Sequence, residues 1–183
     1  VAVVGGSFAG LACVRALHRD FDVVLIDRRQ YFEYTPGVLR LLVSPGAFKS
    51  LIAPLRNWAR KAKVVQASVA RIEEDRMVVE GIEGTDDAGR TWEIPFDYAV
   101  VGCGSTYPTL KPSTSEGAAT SREETWRREA ETLREAPSVG VIGGGPVGVE
   151  LAAEVKGRYP NKDVVLVDSK KALCTPFAHP QSA

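Results

Sequence analysis

Two short glycine runs, each followed by an aspartate more than twenty residues later, are the parts of this sequence best suited to bind a phosphorylated ligand. The first is Gly5-Gly6-Ser7-Phe8-Ala9-Gly10, with Asp27 22 positions after Gly5; the second is Gly143-Gly144-Gly145-Pro146-Val147-Gly148, with Asp168 25 positions after Gly143. These separations are close to the ~20 residues between the glycines of a dinucleotide turn and its ribose-binding acid. In such a turn the first glycine permits the bend, the second lets the backbone approach the pyrophosphate, and the third lets helix and strand pack closely. The diphosphate rests on the helix N-terminus, where unpaired N–H groups and the dipole favour negative charge. Ser7 takes the second-glycine place in the first run, and its hydroxyl can donate to a phosphate. One glycine turn is also compatible with ligand-free packing, whereas two complete units with terminal acids point to two dinucleotide sites. Asp168 favours the free 2′-hydroxyl of NADH, while Ser169-Lys170-Lys171 can instead hold the 2′-phosphate of NADPH or simply be solvated.

The elements that must position these residues form an internal repeat. Val1 to Asp27 and Val139 to Asp168 both read as apolar strand, glycine turn, helix, and a second strand ending in an acid. The first helix is expected to run through Leu17 and the second to about Lys156, with second strands at Asp22–Ile26 and Asp163–Val167. Between the units, Pro45–Lys63 reads as helix from Phe48, Leu51, Ile52, Leu55 and Trp58, with Pro54 bending or dividing it. Short strands at Lys63–Gln66, Ser68–Ile72, Met77–Glu80 and Thr91–Pro95 suggest an antiparallel insertion. Phe96–Gly104 reads as a buried strand ending in glycines. The Ser-, Thr- and Pro-rich run Ser105–Ala119 is the expected boundary between domains 1–112 and 113–183. A helix over about Ser121–Ala136 carries Trp126, Ala130 and Leu133 on one stripe. The expected fold class is α/β, with two Rossmann-like three-layer dinucleotide-binding units and a small antiparallel β insertion.

Composition narrows the remaining possibilities. With 44% apolar and 25% charged residues in 183, the chain is of globular type, and 23 Lys+Arg against 23 Asp+Glu gives no overall basic charge for a nucleic acid. Cys13, Cys103 and Cys174 are scattered, with no C-x-x-C pair and no Cys/His cluster for zinc, which points to a reducing compartment. Cys103 reads as a small buried core residue, and His18 and His179 as isolated residues without a catalytic or metal role. No apolar stretch reaches the ~18 residues of a membrane span. The first strand begins at Val1 without a Met, so any targeting or lipidation signal upstream of it would have been cut away with the initiator.

The blocks Val4–Leu11, Tyr31–Arg40, Asp97–Thr106, Gly143–Glu154 and Glu154–Ser169 together resemble the flavoproteins with two dinucleotide-binding domains. Within them they look most like the apoptosis-inducing-factor-2 and ferroptosis-suppressor group, close to type II NADH dehydrogenases. The resemblance implies FAD on the first unit and NADH or NADPH on the second. It implies that Gly5 to Ala9, with Gly10, bind the FAD diphosphate, that Asp27 binds the ribose, that Arg28 is among the cofactor-binding residues, and that Arg40 touches the flavin nucleotide. It also implies that the Val69 backbone meets the adenine. Gly104 closes a Gly-Cys-Gly run where the family usually has Ala-Thr-Gly, so Cys103 replaces a hydroxyl. Glu150 resembles a carboxylate near flavin and quinone that can relay protons; it also reads as a helix N-terminal acid favouring the dipole, and Glu154 as structural.

The implied activity is transfer of hydride from NAD(P)H to flavin and of electrons on to a quinone-type acceptor. The alternatives are reduction of a ferredoxin- or rubredoxin-like carrier, or a non-catalytic nucleotide-binding signalling module. No C-x4-C pair suggests the disulfide-reductase type. No nucleic acid is expected as partner; the expected location is cytoplasmic, at a membrane surface, with mitochondrial as the alternative, and the oligomeric state is open. In this family a C-terminal segment with a Gly-Asp motif completes the FAD domain. The sequence therefore reads as roughly the first half of a ~350–400-residue protein, and without that segment weak or absent flavin is expected.

Overall fold

The computed structural model describes residues 1–107 and 110–174, so His179 lies outside the described residues. Two compact units emerge, Val1–Thr35 with Lys49–Arg122, and Pro36–Phe48 with Glu123 onward. The α/β class holds in both.

The first unit is built on β1 (Ala2–Val4), α1 (Phe8–Leu17), β2 (Val24–Asp27) and β3 (Tyr31–Glu33). There follow α2 (Phe48–Leu51), β4 (Ile52–Pro54), α3 (Leu55–Trp58), β5 (Lys63–Ile72), β6 (Arg76–Gly81), β7 (Thr91–Pro95) and β8 (Ala99–Val101). Its main sheet has the order β7-β6-β5-β2-β1-β8. The β5-β2-β1-β8 part is parallel, and β5-β6-β7 is the antiparallel insertion. Strand alternation explains why this sheet is covered on both faces. Ala2 and Val4 enter one core with Ile26, Met77 and Val79, while Val3 enters the other with Leu11, Val14, Leu25 and Leu55. The runs expected at 63–66 and 68–72 are one strand, with a register shift between Val69 and Arg71 where it leaves its parallel partner for an antiparallel one.

Two expectations need correction. Pro45–Lys63 is not a helix: a 3-10 turn Pro45–Ala47 leads into one turn of α2, then β4, which pairs antiparallel with β3, then one turn of α3. Pro54 sits at the strand end, where its missing N–H costs the ladder little. The Phe96–Gly104 run is also not a buried strand. It is reduced to β8 at the edge of the described sheet, with β1 on one side only, leaving Ala99 and Val101 exposed.

The second unit holds β9 (Ser138–Ile142), α5 (Pro146–Arg158) and β10 (Asp163–Val167), the two strands pairing parallel. The preceding helix α4 (Ala119–Glu135) buries Trp126 and Ala130, as its stripe predicts. Among the described residues no helix is long and apolar enough to cross a membrane.

The segment before α4 is fixed to the first unit by a buried ion triad. Arg122, fully buried, grips Glu33 with two bonds (Nε to Oε2 2.8 Å, Nη2 to Oε1 3.2 Å) and reaches Glu116 Oε1 at 3.3 Å and the Leu110 carbonyl at 3.2 Å. Burial alone would lower the Arg122 pKa, but Glu33 and Glu116 outweigh it and raise it, so the guanidinium stays charged. Tyr31 adds a hydroxyl bond to the Glu116 carbonyl at 2.9 Å. Removing one partner of such a group strands the others in low dielectric, so Arg122→Ala should cost about 3–5 kcal/mol of stability in urea unfolding. A loss below about 1 kcal/mol would contradict the assignment.

Candidate functional site

The first glycine turn follows β1. Gly5 has φ +102°, and a Cβ there would strike the Gly102 carbonyl. Its amide donates to the Ile26 carbonyl at 2.8 Å, tying the turn to the end of β2. A Cβ on Gly10 would strike the Gly5 carbonyl, so this glycine lets α1 cross close over the turn. The Gly6 amide donates to Asp27 Oδ2 at 2.5 Å, and Asp27 is only 8% exposed. Its other oxygen accepts from the Arg29 amide at 2.8 Å and from Arg29 Nε at 3.2 Å. Burial works against the Arg29 charge, but Asp27 more than offsets it and raises the pKa.

Arg29 was invisible in the spacing argument; the one available signal was a cation two residues beyond the acid, within reach of its carboxylate. Arg28 instead offers its carbonyl to Gln66 Nε2 at 3.0 Å.

The second turn repeats this geometry. Gly143 has φ +110° and donates its amide to the Val167 carbonyl at 2.8 Å, as Gly5 does to Ile26. A Cβ on Gly148 would strike the Gly143 carbonyl. The Gly144 amide donates to Asp168 Oδ2 at 2.5 Å, and the Lys170 amide to Oδ1 at 2.6 Å. These amide bonds, that of Lys170 first, hold the Asp168 carboxyl below the usual range.

The helices that follow are open at their positive ends. Ser7 and Gly145 are the N-cap residues of α1 and α5; neither makes a side-chain cap bond, and neither first turn carries an acid. A diphosphate fits such an end, because the first N–H groups of a helix need an acceptor and its dipole favours an anion. Phe8, Ala9, Pro146 and Val147 lie exposed in those first turns.

The remaining expected site residues are more dispersed. Val69 lies on β5 at the bulge opposite Val79, three positions beyond Gln66, the partner of Asp27. Gly104, at φ +72°, follows β8. Cys103 beside it is exposed, correcting its reading as a core residue, because β8 has already ended at the sheet edge. Arg40 falls in the second unit, its Nε 3.7 Å from Glu154 Oε1. Glu150 is exposed on the second turn of α5, neither partly buried nor in the first turn where a dipole acid belongs. No metal-binding group of His, Cys, Asp or Glu forms among the described residues.

A model of the pyridine nucleotide-disulphide oxidoreductase family matches residues 1–183. The ferroptosis suppressor protein 1 of Xenopus tropicalis is 30% identical over 177 residues, covering 94% of this chain and 44% of its own length. The external alternative NADH-ubiquinone oxidoreductase, mitochondrial, of Yarrowia lipolytica is 24% identical over 182 residues, covering 85% and 31%. The chain thus spans less than half the length of these curated relatives. In fold it is similar to NDH2 from Plasmodium falciparum in complex with NADH, with a TM-score of 0.72 at 19% identity, covering 99% of this chain and 44% of that one. The family match runs along the whole sequence, and the chain belongs to the pyridine nucleotide-disulphide oxidoreductase family.

Proposed function

We propose that this chain carries the two nucleotide sites of an FAD-dependent NAD(P)H oxidoreductase that delivers electrons to a quinone-type acceptor at a membrane surface. Residues 1–112 hold FAD at Gly5–Gly10 and Asp27, with Arg28, Val69 and Gly104 contributing, and residues 113–183 hold the nicotinamide nucleotide at Gly143–Gly148 and Asp168. The observation that carries this reading is the amide–carboxylate bond made twice, from Gly6 to Asp27 and from Gly144 to Asp168. It fixes each acid beside its turn, where a ribose hydroxyl can share the carboxylate while the diphosphate takes the open helix end. The names of the relatives support the acceptor class, one being an NADH-ubiquinone oxidoreductase.

FAD, when bound, accepts hydride from the nicotinamide and passes the electrons on. The chain's own residues orient the two nucleotides, and Glu150 supplies a solvent-accessible carboxylate for moving a proton to the reduced acceptor. Asp168 sets the preference for NADH, since a 2′-phosphate beside an ionised carboxyl is repelled.

Flavin-loaded protein should oxidise NADH faster when a short-chain ubiquinone is added. No acceleration would contradict the acceptor, and acceleration only by a ferredoxin-like carrier would reassign it. Asp168→Asn should weaken NADH binding about tenfold, equivalent to 1.4 kcal/mol, and narrow its advantage over NADPH; unchanged binding of both would contradict the ribose role. Glu150→Gln should slow quinone turnover by roughly a hundredfold, within the range of general acid–base catalysis, with NADH affinity unchanged. An unchanged rate would remove Glu150 from the proton path.

A further inference from the structure

The zero net charge conceals a segregated surface. Between Glu33 and Glu73 there is no Asp or Glu, while that stretch holds seven Lys and Arg. Three of these cations, Arg56, Arg60 and Lys61, surround the single turn of α3. That turn buries Leu55 and Ala59, four residues apart, and so presents positions 56, 57, 58, 60 and 61 to solvent.

Trp58, the largest side chain of the turn, is 51% exposed. Its ring begins an aromatic ladder: 5.7 Å to Phe32, then 5.2 Å from Phe32 to Phe8, and 5.8 Å from Phe8 to Tyr34. Phe8, at the far end, belongs to the first glycine turn, so Trp58 is the ring that faces outward beside the cations. The neighbouring carboxylates do not neutralise the rim, because Asp27 and Glu33 are buried and paired with Arg29 and Arg122. No ion pair to Arg56, Arg60 or Lys61 forms among the described residues.

Aromatic residues exposed beside unpaired cations suit the boundary of an anionic bilayer, where rings sit at headgroup level and Lys or Arg meets the lipid phosphates. A single-stranded nucleic acid would also answer the charge, but it needs ring faces on which bases stack. Here Trp58, the ring beside the cations, is tilted 47° against Phe32 rather than standing in a row of parallel faces.

We propose that Trp58, the outer ring of this ladder, with its Arg56–Lys61 rim, is the face by which the first unit docks on an anionic lipid surface. The proposal deepens the membrane-surface part of the function above and rests on that part alone, not on the identity of the electron acceptor.

The test is co-sedimentation of the chain with phosphatidylcholine vesicles, with and without phosphatidylserine. The wild-type chain should bind the phosphatidylserine vesicles and release them as salt is raised. The exposed double substitution R60E/K61E should lower partitioning more than tenfold, at roughly fivefold for each cation lost and further for each charge reversed. Trp58→Ser should lower it several-fold, with circular dichroism of both variants unchanged. Undiminished binding by both variants would overturn this face while leaving a membrane role intact. Failure of the wild-type chain to bind any vesicle would overturn both. Displacement of the vesicles by a single-stranded polynucleotide in preference to soluble phosphatidylserine would overturn the lipid in favour of a nucleic acid.

Discussion

The hydrogen bond from the second residue of a glycine turn to the acid at the end of the neighbouring strand is the constraint from which each unit is assembled. In the first unit the Gly6 amide bonds Asp27, and in the second the Gly144 amide bonds Asp168. Each bond links the turn after one strand to the end of the next, so strand register, helix start and acid position are set together. The same link explains the glycines that flank it. Gly5 and Gly143 adopt the left-handed conformation that brings the following amide round to the carboxylate, and Gly10 and Gly148 let the helix lie directly against the turn. The chain therefore satisfies both acids while leaving the helix ends without a side-chain cap, an arrangement in which the first N–H groups keep room for an anionic acceptor.

A second electrostatic device serves the first unit in the opposite manner. The Arg122 triad is closed: the guanidinium, both carboxylates and the Leu110 carbonyl are all engaged away from water. Three ionised groups buried together gain little over an apolar core of the same size, but they are intolerant of losing one member. Their consequence is to fix the segment before α4 against β3, in a stretch whose Ser-, Thr- and Pro-rich composition gives it little apolar surface to bury. The acids at the turns accept backbone amides, whereas the carboxylates of the triad are held by a guanidinium, and bonding partner rather than burial distinguishes the two sets.

The parts of the fold readable in the sequence are those in which local pattern and tertiary demand coincide. β7 and β10 occupy the expected residues, and α1 ends at Leu17, because periodicity, glycine and acid all give one answer there. Pro45–Lys63 shows the opposite case. Apolar residues three and four apart also suit a succession of single turns and a short strand, and the pairing of β4 with β3 decides between them. Cys103 was misread because burial of a strand end depends on whether another strand lies alongside, which no local pattern reports. Arg122 and Glu33 stand 89 positions apart, and their pairing has no signature before the chain is folded. At the candidate site the turns and their acids were legible, whereas Arg29 on Asp27 and Arg40 beside Glu154 emerge only in three dimensions.

The central claim is that the two repeated turns are separate dinucleotide sites with different ligands. It is tested most directly by following the backbone amide signals of Gly6 and Gly144 by NMR while the chain is titrated with FAD and, separately, with NADH. The account predicts that FAD moves the Gly6 signal and leaves Gly144 in place, while NADH does the reverse. An FAD titration that moves the Gly144 amide, or an NADH titration that moves the Gly6 amide, would contradict it.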